Sequence, residues 1–229
     1  MVTKSEQDLI QKLSLLLRED ETTAKIIFKT LSLGKRRISF KEIFSLASPL
    51  PTNKQQEKNL VKEAVLAMCW WKLLLPTNRN HNLSWKDSSC KAELEEVYEI
   101  PACISYVFEK FYTQGVWDYK FAVFKYFEDI KEPHKNLILK IVEDVLKEAY
   151  GRSFVSASMI KRICKKNGYP EDRIGVLIAE LKGGGFISPF ITLIRKNFQE
   201  KEEGCLTEEG PVYELNKALF INYKKVDSY

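Results

Sequence analysis

The sequence predicts a mainly α-helical chain with small β-hairpins, an α+β fold of two similar units joined by an aromatic-rich helical segment. Three observations predict it. Apolar residues recur at i, i+3, i+4 and i+7 in one stretch after another, which is the helical period. One succession (helix, short strand, two helices, then two strands around a polar charged loop) occurs twice, over about residues 21–87 and again over about 132–219. Ten aromatic residues crowd between Tyr106 and Phe127, too sticky a composition for a flexible linker. With 229 residues, 45% of them hydrophobic, there is apolar side chain for more than one core. The expected divisions are an N-terminal helix (1–20), a first unit (21–90), a helical connector (91–131) and a second unit (132–229).

In order along the chain, residues 5–18 make an amphipathic helix, with Thr3 and Glu6 as a capping box and Leu9, Leu13, Leu16 and Leu17 on one stripe. Residues 21–33 make the next, through Ala24, Ile27, Phe28 and Leu31, and Gly34 stops it. A short strand over 37–39 and a short helix over 40–47 follow, until Pro49, Pro51 and Asn53 break the chain. Thr52 opens a long helix, boxed by Gln55, whose buried face is Val61, Ala64, Val65, Met68 and Trp71. Leu73–Leu75 and Leu83–Lys86 form a hairpin around the polar TNRNHN turn.

The connector is predicted as helices over 91–98, 102–113 and 117–130, forming the interface between the units or a dimer face. The second unit begins with a helix from Pro133, striped by Ile138, Ile141, Val142, Val145 and Ala149, and ended by Gly151. A strand at 153–155 precedes a helix capped by Ser156 or Ser158 and running to Lys166. Pro170 opens the last helix, cored by Ile174, Leu177, Ile178 and Leu181 and stopped by Gly183–Gly185. Strands at 186–188 and 212–215 flank the charged loop RKNFQEKEEG.

The net charge of +5 is unevenly placed. Residues 21–88 hold 12 Lys/Arg against 5 Asp/Glu, so the positive field sits on the first unit. The five cysteines are scattered, with no CxxC pair, and the two histidines join them in no zinc-like spacing; idle thiols in a reduced compartment, and no metal, are expected. The polar start MVTKSEQDLIQKL has no signal-peptide core and no apolar run approaches a bilayer span, so a cytoplasmic protein away from membranes is expected. No phosphate-binding glycine motif, HExxH or GxSxG is present, and no cofactor or catalytic residue is assigned.

The segments ISFKEIFSLA, TNKQQEKNLVKEAVLAMCWWKLLLPTNRNHNLSW, VSASMIKRICKKNGYPEDRIGVLIAELKGGGFISP and PVYELN together resemble the winged-helix superfamily, in tandem. The likeness is one of order and periodicity and covers about two thirds of the chain. It implies two winged-helix domains joined by the aromatic segment. It also implies that the third helix of each unit enters a major groove while the hairpin wing touches backbone or minor groove.

On the first such helix Lys54, Lys58 and Lys62 recur every fourth residue, with Gln55 and Asn59 between them. Lysines neutralise phosphates, and Gln and Asn can pair with adenine edges; a solvated helix face would have a similar composition. The run Lys35, Arg36, Arg37 suits phosphates or the dipole of the preceding helix. Arg79 and His81 stand in the first wing, where an Arg suits a narrow minor groove. In the second unit Lys161, Arg162, Lys165 and Lys166 lie on the middle helix, Arg173 follows the acids Glu171 and Asp172, and Arg195 and Lys196 fall in a wing rich in Glu. The expectation is binding of double-stranded DNA by a transcription regulator. The alternative is a protein-interaction module of a larger, chromosome-associated assembly without DNA contact. A third possibility is an effector pocket among Trp117, Phe121 and Phe124, against which stands their use as plain core.

Overall fold

Asp20 opens the first core. Its carboxylate accepts from the N–H groups of Thr22 and Thr23 at 2.9 and 3.0 Å and starts helix α2 (Glu21–Ser32), which packs on α1 (Lys4–Leu17). This computed structural model describes residues 4–47, 53–77, 85, 91–149, 152–190 and 210–222. Ile10, Leu13 and Leu17 of α1 meet Ala24, Ile27, Phe28 and Leu31 of α2 in one buried cluster. Strand β1 (Arg37–Ser39) leads into α3 (Phe40–Ala47), whose first turn is closed by a reciprocal box: Ser39 N donates to the Glu42 carboxylate and Glu42 N to Ser39 Oγ. Helix α4 (Lys54–Trp70) is capped by Asn53, whose side chain accepts from Gln56 N at 2.9 Å. The capping position is therefore Asn53 rather than Thr52, which lies outside the described residues.

The strands β2 (Leu75–Pro76) and β3 (Val97–Glu99) complete an antiparallel sheet ordered β1-β3-β2, with Arg37 opposite Glu99 and Leu75 also opposite Glu99. This corrects the sequence reading in two places. Residues 91–98 are not a helix: Val97–Glu99 is the central strand, and Tyr98 is fully buried. The first sheet therefore closes beyond residue 90. Of the expected strand at 83–86, only Trp85 is described. It is buried in a turn, and its N–H donates to Ser188 Oγ at 3.1 Å.

Helices α5 (Ala102–Gln114) and α6 (Tyr119–Asp129) form the connector, and α7 (Lys135–Ala149) starts the second unit, two residues after Pro133. Strand β4 (Phe154–Ser156) precedes α8 (Ala157–Lys166), and of the two serines it is Ser156 that caps, accepting from Met159 N. A 3-10 turn (Glu171–Arg173) stands where Pro170 was expected to open the helix directly, and α9 (Ile174–Gly183) follows it. Strands β5 (Ile187–Pro189) and β6 (Val212–Leu215) give a sheet ordered β4-β6-β5, the same order of first, last and middle strand as in the first sheet.

The aromatic connector holds the units together. Trp117 Nε1 donates to Ala218 O at 2.8 Å, Tyr119 meets Phe220, and Tyr126 and Phe127 both pack on Phe186. Trp117 is buried, while Phe121 and Phe124 lie under Lys110 and Lys135.

The seam itself is reciprocal. Cys103 N donates to Gly184 O, the cap of α9, at 3.0 Å, and Ala218 N donates to Trp71 O, the cap of α4, at 3.1 Å. Both helices end alike, with Lys72 (φ 62°) and Gly185 (φ 77°) in the left-handed conformation and Leu73 N and Phe186 N bonding back to Met68 O and Leu181 O. Asn216, fully buried, completes the joint by donating to Gly185 O and Lys72 O and accepting from Ala218 N and Leu219 N.

Cys103 and Cys164 are free and buried, and burial pushes the Cys164 thiol up to about 11. Cys69 is disulfide-bonded, which departs from the expectation of idle thiols. Among the described residues no helix is long and apolar enough to cross a membrane.

Candidate nucleic-acid interface

Helix α4 lies against α2 and α3 through Val61, Ala64, Val65 and Met68, all fully buried. With that face fixed, the helical period turns Gln55 and Asn59 to solvent; Lys54 lies in phase with the buried face but is exposed in the first turn, and Lys58 and Lys62 are half-buried. A half-buried lysine lays its stem along apolar neighbours and keeps its ammonium in water. None of the three lysines is in an ion pair with a described carboxylate. Gln55 Nε2 donates to Asn59 Oδ1 at 3.2 Å, so the two amides stand side by side one turn apart.

The same row continues past the residues expected from the sequence. Lys54, Lys58 and Lys62 are followed at the next two fourth positions by Leu66, 47% exposed, and Trp70, 63% exposed. Lys217 Nζ sits 3.8 Å from the centre of the Trp70 ring. Beyond Trp70 opens a cleft of about 710 Å³ between the two units, walled by Leu66, Trp70, Phe154 and Phe190, with Lys72 and Lys217 on its rim. Sequence reasoning missed Leu66, Trp70 and Lys217. The first two were within reach of the fourth-residue spacing already seen in the lysines; Lys217 carried no local signal.

The basic run divides. Lys35 pairs with Glu42 at 2.7 Å, which ties it to the cap of α3 and, with the Ser39 hydrogen bonds, holds the Glu42 carboxyl down to about 2. Arg36 and Arg37 are exposed, and no described carboxylate pairs with them. Arg79 and His81, and Arg195 and Lys196 of the second wing, lie outside the described residues.

In the second unit three of the expected cations are paired with carboxylates. Lys161, Arg162, Lys165 and Lys166 are exposed on α8, but Arg162 pairs with Glu148 and Lys165 with Glu171, while Lys166 helps to hold the Asp144 carboxyl down, behind the larger effects of Asn167 and Lys147. Arg173 is bound at 2.7 Å to Glu132, whose side chain is only 2% exposed. Its guanidinium anchors the start of α9 to the turn before α7. Around that pair Tyr169 Oη, Arg173 Nε and Glu180 Oε2 are buried without a hydrogen-bond partner, and burial together with Glu132 raises the Glu180 carboxyl above its usual range. Among the described residues expected from the sequence, the cations outside these ion pairs are the lysines of α4, Arg36, Arg37, Lys161 and Lys166, and only those of α4 stand beside exposed amides of the same helix.

No curated protein and no solved structure matches the chain. A protein-family model whose description names no activity matches residues 11–225, and the chain belongs to that family.

Proposed function

We propose that this chain is a tandem winged-helix protein that binds double-stranded DNA through α4, acting in the cytoplasm as a transcription regulator rather than as an enzyme. The fold reading is supported by the repeated order of helix, strand, two helices and two strands, and by the matching first–last–middle order of both sheets. The functional reading rests on one observation: the third helix of the first unit carries Lys54, Lys58 and Lys62 with Gln55 and Asn59 on an outer face unclaimed by described carboxylates. Lysines so placed neutralise phosphates, and the amides are of the type that reads adenine. Arg36 and Arg37 extend the basic face; Arg79 would serve from the wing.

Binding of duplex DNA measured at two salt concentrations tests this. Each neutralised phosphate contributes about 0.9 to the slope of log K against log salt, so replacing the three lysines by Ala should flatten it by roughly 2.7. Absence of salt-sensitive binding by the wild-type chain at low ionic strength would end the reading. A second reading, a protein-interaction module or homodimer, is favoured by α9. That helix is preceded by Glu171 and Asp172, which repel phosphate, and it exposes Val176. Light scattering of the chain with and without DNA separates the two.

A further inference from the structure

We infer that the cleft beyond Trp70 is a stacking site for an unpaired nucleobase, so that the preferred ligand is a duplex carrying a single-stranded extension rather than a blunt duplex. This deepens the proposed function and rests on it. Lys62, Leu66 and Trp70 follow at every fourth residue on one flank of α4, about 12 Å from Lys62 to Trp70 at 1.5 Å per residue, while each step of the row turns by about 40° and carries Lys54 round toward the other side. A ligand that runs from Lys62 toward the C-terminus of α4 meets an ammonium group and then a flat apolar surface. Within a blunt duplex the bases are stacked on each other and offer Trp70 no face. A strand that leaves the duplex offers both things the row provides for, a continuous run of phosphates and free aromatic faces.

The cleft has the composition for it. Trp70 remains 63% exposed with Lys217 over its ring, and Phe154, 39% exposed, stands across the cleft with its ring 4.4 Å from that of Phe190. Lys217 on the rim places positive charge where the phosphates of the unpaired strand would pass. An exposed indole beside a cation is costly as mere covering of a core, because the same packing is available to a polar side chain at the edge. As a stacking platform, both its exposure and its cation have a use.

The test uses the full chain and three labelled ligands: a blunt duplex, the same duplex with an unpaired oligothymidine tail, and one with an abasic tail of equal length. The abasic tail has the phosphates without the bases. The thymidine tail should bind at least about fivefold more tightly than the abasic tail, the smallest gain expected for stacking one base. Trp70→Ala should abolish that difference, and Trp70→Phe should keep most of it. Equal binding of the two tails, or a preference that survives Trp70→Ala, would overturn the inference and leave the duplex reading intact. The wild-type comparison decides the matter even if a variant fails to fold. Failure to bind any of the three ligands would overturn the inference together with the proposed function, and would leave the cleft to a protein partner.

Discussion

Removing the amide of Asn216 probes whether the two units are one cooperative body. The residue is fully buried, and its side chain makes five hydrogen bonds: to Gly185 O at 3.0 Å, to Lys72 O at 3.3 Å, a weaker one to Cys103 Sγ at 3.8 Å, and from Ala218 N and Leu219 N at 3.1 Å each. Asn216→Ala does not strand all of these partners. Ala218 N still reaches Trp71 O, and Gly185 O still accepts from Cys103 Sγ. Leu219 N and Lys72 O lose the amide outright. At about 1–3 kcal/mol for each buried group so deprived, plus the small void left by the amide, the expected loss is about 3–5 kcal/mol. Urea unfolding followed by tryptophan fluorescence and by far-UV circular dichroism checks it. Both probes should give one transition, displaced together to lower urea with unchanged slope. A loss below about 1 kcal/mol, or two transitions of which only one moves, would refute the idea that this joint couples the units. Asn216→Asp keeps the acceptor and loses the donors, so its defect should be larger at neutral pH and ease as acid protonates the buried carboxyl.

Three further outcomes are expected. Glu42, held near 2 by Lys35 and Ser39, contributes stability that is present above the ordinary value of 4.5 and lost as pH falls toward 2; Glu42→Gln should flatten acid melting curves across that window. Glu180 has the opposite sign: its raised carboxyl lets the folded chain hold a proton that the unfolded chain has released, so stability falls as pH rises past the usual glutamate range, and Glu180→Gln should melt at a higher temperature than wild type at neutral pH. At the paired left-handed positions, Lys72→Gly should gain roughly 0.5–1 kcal/mol in urea unfolding by relieving strain, whereas Gly185→Ala should lose more than about 2 kcal/mol, because its Cβ would lie 2.5 Å from Pro101 Cβ.

The helices were legible because each buries one face, and a buried face imprints its period on the local sequence. The strands were less so. The stretch before Tyr98 is rich in Ala, Leu and Glu, which favour helix, and only pairing with β1, some sixty residues earlier, makes Val97–Glu99 a strand. One signal was nevertheless in the sequence: VYEI at 97–100 recurs as VYEL at 212–215, and both are central strands of their sheets. At the candidate site, the exposure of Gln55 and Asn59 followed from helical phase, whereas Lys62, expected on the same outer side, is half-buried, and Lys54 is exposed because it lies in the first turn. The commitment of Arg173 could not, because Glu132 lies 41 positions away and reaches it only through the fold. Lys217 over Trp70 is a contact of the same non-local kind.

The internal repeat separates what packing requires of the recognition helix from what it does not. The shared C-terminal turns set the register, Met68 matching Leu181 and Leu73 matching Phe186. In that register the buried apolar residues at the helix centre correspond: Val61 with Ile174, Ala64 with Leu177, Val65 with Ile178. The outer faces do not correspond. Lys58 stands where the second unit has Glu171, Asn59 where it has Asp172, Lys62 where it has Gly175, Leu66 where it has Ala179 and Trp70 where it has Gly183. A fold that accepts glutamate, aspartate and glycine at these positions in one copy has no structural need for lysine, asparagine and tryptophan in the other. Exposed tryptophan adds apolar surface to water, and three lysines in one row repel each other, so the first unit carries a local cost that its twin avoids. Swapping the outer residues of the second unit onto α4, with Ala in place of Gly at 62 and 70 so that helix propensity is kept, should therefore preserve folding while removing binding; a swapped chain that unfolded instead would return these residues to the structural column and leave α4 without a functional face.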